Sequence, residues 1–256
     1  VSLFALASIK GSPGVTTAAV ALAATWTGDV AVAEIDPGGG DLAARFGLAE
    51  EPGLITWAAA ARRLSPPEEL PRHLQELPGG TPVLVGPAGS EQARAALRVL
   101  EGRSPTGLDA SELDVLGDWG RLGLDRPSHP LFTEASVVVL LARPGLADLA
   151  HVATRVESLR ASARDIALVL VGPGPYPARE VGATLGLEVI GELPLDPDGA
   201  ALCSGASAPG RAAARSPLLR AARSLGEVLR ARVTDPREVE VSEVADEPAP
   251  VLESTS

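Results

Sequence analysis

Unbroken apolar runs alternate with stretches of helical periodicity along most of this chain, and their order predicts the fold class. Leu3 to Ile9 is a short apolar run ending in a small-residue turn, the pattern of a strand buried on both faces. The turn, Lys10 to Thr16, leads into an Ala-rich helix from Thr16 to Trp26. Further strands are predicted at Val30 to Ile35, Thr81 to Val85, Leu113 to Leu116, Ala135 to Ala142, Ile166 to Val171 and Glu188 to Ile190. The Ala135 strand holds the unbroken run Val137 to Leu141, which places it at the centre of a sheet. Helices are predicted at Leu42 to Phe46, Leu54 to Arg63, Pro67 to Leu77, Glu91 to Leu100, Leu146 to Ser162 and Ala178 to Leu185, with residues 102 to 110 as loop. A last helix, Pro217 to Val233, turns Leu218, Ala222, Leu225 and Leu229 inward. Such alternation predicts an α/β fold: one doubly wound, mostly parallel sheet in a single domain over residues 1–233.

Composition narrows this picture. Hydrophobic residues make up 45% of the 256 positions and aromatics only 3%, so the core is built of Ala, Val and Leu. The one cysteine, Cys203, excludes an intrachain disulfide and fits a reducing compartment. His73, His129 and His151 have no companions at metal-ligand spacing. No basic region precedes the first apolar run, and no stretch reaches the roughly 18 residues that cross a bilayer, so a soluble cytoplasmic protein without direct membrane insertion is expected. Net charge is −11. Residues 234 to 256 hold seven acids (Asp235, Glu238, Glu240, Glu243, Asp246, Glu247, Glu253) against Arg237, a net −6 that leaves −5 for the remainder. With Pro236, Pro248 and Pro250 and little apolar periodicity, this segment reads as an acidic disordered tail, able to shield a basic surface of the same molecule.

Candidate chemistry begins in the turn after the first strand. Strand, small-residue loop and helix is the arrangement in which backbone N–H groups and a helix N-terminus converge on phosphate. The usual G-x-x-x-x-G-K-[ST] pattern is altered: Ile9 stands at the first Gly position and Val15 at that of the phosphate-binding Lys. Instead, Lys10-Gly11-Ser12-Pro13-Gly14-Val15-Thr16-Thr17 resembles the phosphate loop K-G-G-x-G-K-[ST] of the MinD/ParA family, with Lys10 at the position of that family's signature lysine. Lys10 is the sole Lys; the other basic residues are Arg. The resemblance spans residues 3 to 232 and includes Gly86-Pro87, Ala142-Arg143-Pro144 and Leu193-Pro194-Leu195-Asp196.

The resemblance implies a P-loop domain that binds ATP and Mg²⁺. Lys10, Gly11, Ser12, Gly14, Val15, Thr16 and Thr17 would hold nucleotide, with Gly120 and Arg121 joining from the second switch. Thr16 and Asp118 would face the metal. Asp36 would handle the attacking water, Lys10 would act in catalysis, and Glu34 replaces the first Asp of the family's D-x-D pattern. Asp118 is expected just beyond its strand, facing solvent and ligand, and turn-forming Asp beside Pro or Gly is the plain alternative for it and for Asp36. Arg121 is a candidate to supply the charge that Val15 lacks, unless it pairs with Asp125. Gly172 stands where the family often has an adenine-reading Asn.

The implied function is a positioning or partitioning protein: a slow or vestigial ATPase switch, dimerising with nucleotide and serving division, partition or secretion machinery. Two alternatives stay open. One is a pseudo-ATPase interaction module. The other is a DNA-binding partition protein using Arg211, Arg215, Arg220 and Arg223, part of a run with six Arg and only Glu227 opposing.

Overall fold

Every second residue of the first strand faces a different core, and that parity sets the architecture. In β1 (Leu3–Ser8), Leu3, Ala5 and Ala7 enter one apolar cluster while Phe4 and Leu6 enter the other. The same division holds in β6 (Val137–Ala142), where Val138, Leu140 and Ala142 lie opposite Val137, Val139 and Leu141. Strands buried on both faces need helices on both faces. The computed structural model describes residues 2–62, 67–101, 108, 113–123, 130–205, 213 and 215–234. Asp235 to Ser256, most of the acidic tail, and Arg211 lie outside the described residues.

The remaining strands are β2 (Val30–Glu34), β3 (Gln75–Glu76), β4 (Pro82–Leu84), β5 (Asp114–Arg121), β7 (Ile166–Val171) and β8 (Glu188–Leu193). They form one sheet in the order β3-β4-β2-β5-β1-β6-β7-β8, parallel except for the β3–β4 pair. The helices are α1 (Val15–Thr25), α2 (Leu42–Phe46), α3 (Leu54–Ala61), α4 (Ser90–Glu101), α5 (Leu146–Ala153), α6 (Val156–Arg160), α7 (Ala178–Leu185), α8 (Pro197–Leu202) and α9 (Pro217–Thr234). The predicted doubly wound α/β architecture is present. No helix among the described residues is long and apolar enough to cross a membrane.

Helices α1 and α9 pack together on one face, where Gly226 lets Trp26 approach; a Cβ there would lie 3.2 Å from the indole. Trp26 stacks edge-on against Phe4 at 5.3 Å and donates from Nε1 to Asp114 Oδ2 at 3.0 Å, tying the end of α1 to the start of β5. Helices α3 to α7 contribute to the opposite core.

Four expectations need correction. The helix predicted from Pro67 to Leu77 is a 3-10 helix, Pro67–His73, followed by β3; Pro71 within it removes an N–H that an α-helix would need. The helix predicted from Leu146 to Ser162 is interrupted at Thr154-Arg155, where Arg155 turns inward, 8% exposed, and donates to the Gly123 carbonyl at 2.7 Å. Helix α8 was not anticipated. It is only six residues long, and its Asp196-Pro197 start reads as a turn although Asp196 caps it by accepting from Gly199 N–H at 3.0 Å. Strand β5 runs past Leu116 to Arg121, so Asp118 lies within a strand and is 2% exposed, buried where solvent contact was expected. Gly117 permits the extension, because a Cβ there would lie 1.8 Å from the Trp119 ring that folds back over it.

Candidate functional site

The loop between β1 and α1 is held open by backbone handedness. Gly11 and Gly14 have φ of 85° and 96°, and Ser12, at 43°, is the one non-glycine with positive φ among the described residues. Such alternation turns successive N–H groups toward one side, a nest suited to an anion. An unfavourable φ on Ser12 is strain of the kind that concentrates at functional sites. Gly14 is the N-cap of α1 in left-handed conformation, with no side-chain cap and no acid in the first turn. The first N–H groups of α1 are thus left to an external acceptor.

Val15 points away from this opening. It is 5% exposed and belongs to the core under α1 and α9, so only Lys10, which is exposed, supplies a cation within the loop. Thr16 faces the other way. Its hydroxyl lies close enough to the Asp118 carboxylate to favour the charged form, and that carboxylate accepts from Gly120 N–H at 2.9 Å. Burial pushes the Asp118 carboxyl above the usual range, while Thr16 and the Gly120 bond oppose that rise. The structure therefore joins Thr16 and Asp118, the two residues assigned to metal. Among the described residues no three His, Cys, Asp or Glu side chains group as a metal site. Mg²⁺ does not require one, since it is held by one or two carboxylates plus phosphate and water.

Asp36 lies beyond β2, half-buried, accepting from Gly38 N–H at 2.6 Å. Burial raises its carboxyl to about 6, with Asp118 and Asp41 pushing the same way and Arg121 opposing. It rests directly on Gly120: a Cβ at that glycine, whose φ is 56°, would stand 1.7 Å from Asp36 Oδ2. Asp36, Asp118 and Gly120 are thus one assembly. Arg121, exposed at the end of β5, faces a cleft of about 460 Å³ that it shares with Asp36 and α4. None of the residues lining that cleft belongs to the Lys10–Thr17 loop. Asp125 lies outside the described residues.

Two side chains matter more than sequence reasoning indicated. Glu34, 2% exposed, accepts from Asp41 and Leu42 N–H on Oε1 (2.7 and 2.9 Å) and from Gly86 N–H on Oε2 (2.9 Å). It clamps the loop after β2 to the exit of β4, and Gly40 must be glycine because a Cβ would lie 2.6 Å from Glu34 Oε2. The Glu34-Ile35-Asp36 spacing marks this carboxylate, but its partners are backbone groups that a sequence does not display. Asp148, on α5, lies against the phosphate loop; a Cβ on Gly11 would be 2.5 Å from its Oδ1. Nothing in the motif points to an acid 137 residues away.

Burial raises Glu34 from 4.5 to about 7, so its contribution to stability is full below pH 4.5 and is lost as pH rises through 7. The shift corresponds to a loss on the order of 3 kcal/mol across that window. Glu34→Gln is expected to remove this part of the pH slope in urea unfolding followed from pH 4.5 to 8, while lowering stability at acid pH by about 1–3 kcal/mol because one oxygen becomes a donor facing Gly86 N–H. An unchanged slope in the variant would show that Glu34 does not titrate there.

At the other end of the top edge, Gly172 (φ 76°) lies beneath Leu195, which is 61% exposed. Arg215, just ahead of α9, and Arg220 and Arg223 on it are exposed, whereas Arg232 is committed to Asp165 and Glu188.

No protein-family model matches the chain, and no curated protein matches it either. Solved structures do. A ParA family ATPase from Chlorobium tepidum superposes with a TM-score of 0.68 over 88% of this chain and 97% of its own, at 16% identity. The septum site-determining protein MinD from Pyrococcus horikoshii, solved with Mg-ADP, gives 0.64 over 89% and 95%, at 16% identity. A chain of the MinC:MinD cell division protein complex of Aquifex aeolicus gives 0.63 over 99% of both chains, at 14% identity. The fold is that of the MinD/ParA ATPases.

Proposed function

We propose that this chain, built on the MinD/ParA ATPase fold, binds ATP with Mg²⁺ at the Lys10–Thr17 loop and acts as a slow nucleotide switch that positions other assemblies. The observation that carries the reading is the pairing of Thr16 with buried Asp118 at the mouth of an uncapped helix. Backbone N–H groups of Gly11, Ser12, Gly14, Val15, Thr16 and Thr17 would take the phosphates, and Lys10 would supply the point charge. Thr16 and Asp118 would hold Mg²⁺, which supplies charge neutralisation to a phosphoryl group. Asp36, with Gly120 packed beneath it, would orient water, and a carboxyl near 6 is ionised at neutral pH. Arg121 balances Asp36 and stands in reserve for the charge that Val15 does not provide.

Nucleotide-dependent pairing of two copies, a cytoplasmic setting and a partner from division, partition or secretion machinery belong to the same reading. The MinD–MinC complex supports the last by analogy of fold. Light scattering tests the switch. ATP with Mg²⁺ should shift the protein from monomer to dimer and ADP should not; a single mass under both conditions contradicts it.

A pseudo-ATPase interaction module is the second reading, favoured by Val15 in the core and by the Asp148 carboxylate against Gly11, both unhelpful to a triphosphate. It predicts a folded partner-binding protein with no turnover of ATP. Non-specific DNA binding through Arg220 and Arg223 on α9, with Arg211 and Arg215 ahead of it, would instead give salt-dependent retention on DNA.

A further inference from the structure

The cleft beside Asp36 has an unusual lining. Its floor is apolar, formed by Leu97 of α4 with Trp119 and Leu122 of the β5 exit. Three guanidiniums converge on it: Arg94 and Arg98, one turn apart on the exposed side of α4, and Arg121. Neither Arg94 nor Arg98 makes a hydrogen bond or ion pair with another described residue. Two acids share the lining, Asp36 at the mouth and Glu101 at the last turn of α4, and Asp36 is balanced by Arg121. Elsewhere Arg45, Arg160 and Arg232 pair with carboxylates close at hand. A volume of about 460 Å³ over an apolar floor with a few polar groups is the build of a binding site.

The sequence contains a matching segment. Seven carboxylates lie between Asp235 and Glu253, interleaved with Val239, Val241 and Val244. A run without its own core orders only against a complementary surface. We propose that the α4 cleft receives the chain's own acidic run, with its carboxylates on Arg94, Arg98 and Arg121 and a valine on the Leu97–Trp119 floor.

The reach agrees. Helix α9 ends at Thr234, and Arg232 anchors it to Asp165 and Glu188 at the starts of β7 and β8. The cleft lies at the opposite ends of β2 and β5. Helix α9 and α4 lie on opposite faces of the sheet, so the chain must also pass around it, about 20 Å from one helical layer to the other. Added to about 22 Å across the strands and about 20 Å along them, the path is roughly 40 to 60 Å. Extended chain covers that distance in about 12 to 18 residues, which delivers Asp246, Glu247 and Glu253 to the guanidiniums. The inference does not depend on the nucleotide reading. Occupancy would divide Arg121 between Asp36 and the run, linking the tail to the candidate catalytic carboxylate.

The test is fluorescence anisotropy of a labelled peptide with the sequence of residues 235–253, titrated with two full-length proteins. One is the unaltered chain. The other carries Glu238→Gln, Glu240→Gln, Glu243→Gln, Asp246→Asn and Glu247→Gln, which frees the cleft. The second should bind the peptide at least fivefold more tightly, at all protein concentrations, and about 0.5 M salt should abolish binding. Adding Arg94→Glu and Arg98→Glu should weaken it at least tenfold. Arg94→Gln with Arg98→Gln serves as the milder pair should the reversal disturb folding, read by circular dichroism. Equal binding by both proteins, binding that survives both arginine pairs, or a loss that follows Arg220→Glu with Arg223→Glu would overturn the proposal.

Discussion

Gly120→Ala is expected to cost about 2–4 kcal/mol of folding stability and to displace Asp36. Two effects add at this position. A φ of 56° is uncommon for alanine, and the new methyl would stand 1.7 Å from Asp36 Oδ2 and 2.3 Å from its Cγ. The backbone has little room to yield, because Gly120 N–H is held by Asp118 and the Ser8 hydroxyl donates to the Gly120 carbonyl at 3.3 Å. Asp36 must therefore swing away, and in doing so gives up its 2.6 Å bond from Gly38 N–H. Chemical denaturation measures the loss. A cycle with Asp36→Gly assigns it, since removing the Asp36 side chain first should recover more than about 1 kcal/mol of the alanine penalty. A single variant within about 0.5 kcal/mol of the parent would mean that Asp36 and Gly120 are not packed as described.

Lys10→Ala should leave stability unchanged and weaken ATP binding at least tenfold. The side chain is exposed, so folding has little to lose. Binding does, because Val15 is buried and Lys10 is the only cation in the loop. One charged hydrogen bond to phosphate contributes about 1.5–3 kcal/mol, which is tenfold or more in affinity. Competition against a fluorescent ATP analogue gives the number. Parent-like affinity in the variant would assign the phosphates to the backbone nest alone.

The sequence announced those parts of the fold that local pattern determines. Ile166–Val171 and Ala178–Leu185 appear with the predicted bounds because an unbroken apolar run and a Pro-started amphipathic turn are local signals. The end of β5 was not legible. It depends on Trp119 folding over Gly117, a contact that polar-looking Gly117-Asp118 does not advertise. The break at Arg155 likewise needed its distant acceptor, the Gly123 carbonyl.

The site divides in the same way. Thr16 and Asp118 were legible as a pair, and Asp36 and Gly120 as separate members of the candidate site; the structure sets Thr16 beside Asp118 and packs Asp36 on Gly120. What stayed hidden was set by backbone partners and by packing. Glu34 spends its carboxylate on three N–H groups from two loops, and Asp148 reaches the phosphate loop from α5. Arg121 was assigned toward the missing lysine charge; it stands in a cleft with Asp36 and α4, whose lining includes none of the loop. That position makes it a partner of Asp36 first.

The central claim is that the loop from Lys10 to Thr17 binds a nucleoside triphosphate with its metal. Isothermal titration of the intact protein with ATP·Mg²⁺, alongside ADP·Mg²⁺ and ATP with chelator, tests it most directly. The account predicts saturable binding of one ATP per chain, weakened when Mg²⁺ is withheld because Thr16 and Asp118 then lose their cation. Absence of binding at millimolar ATP·Mg²⁺, with the protein folded, would contradict it.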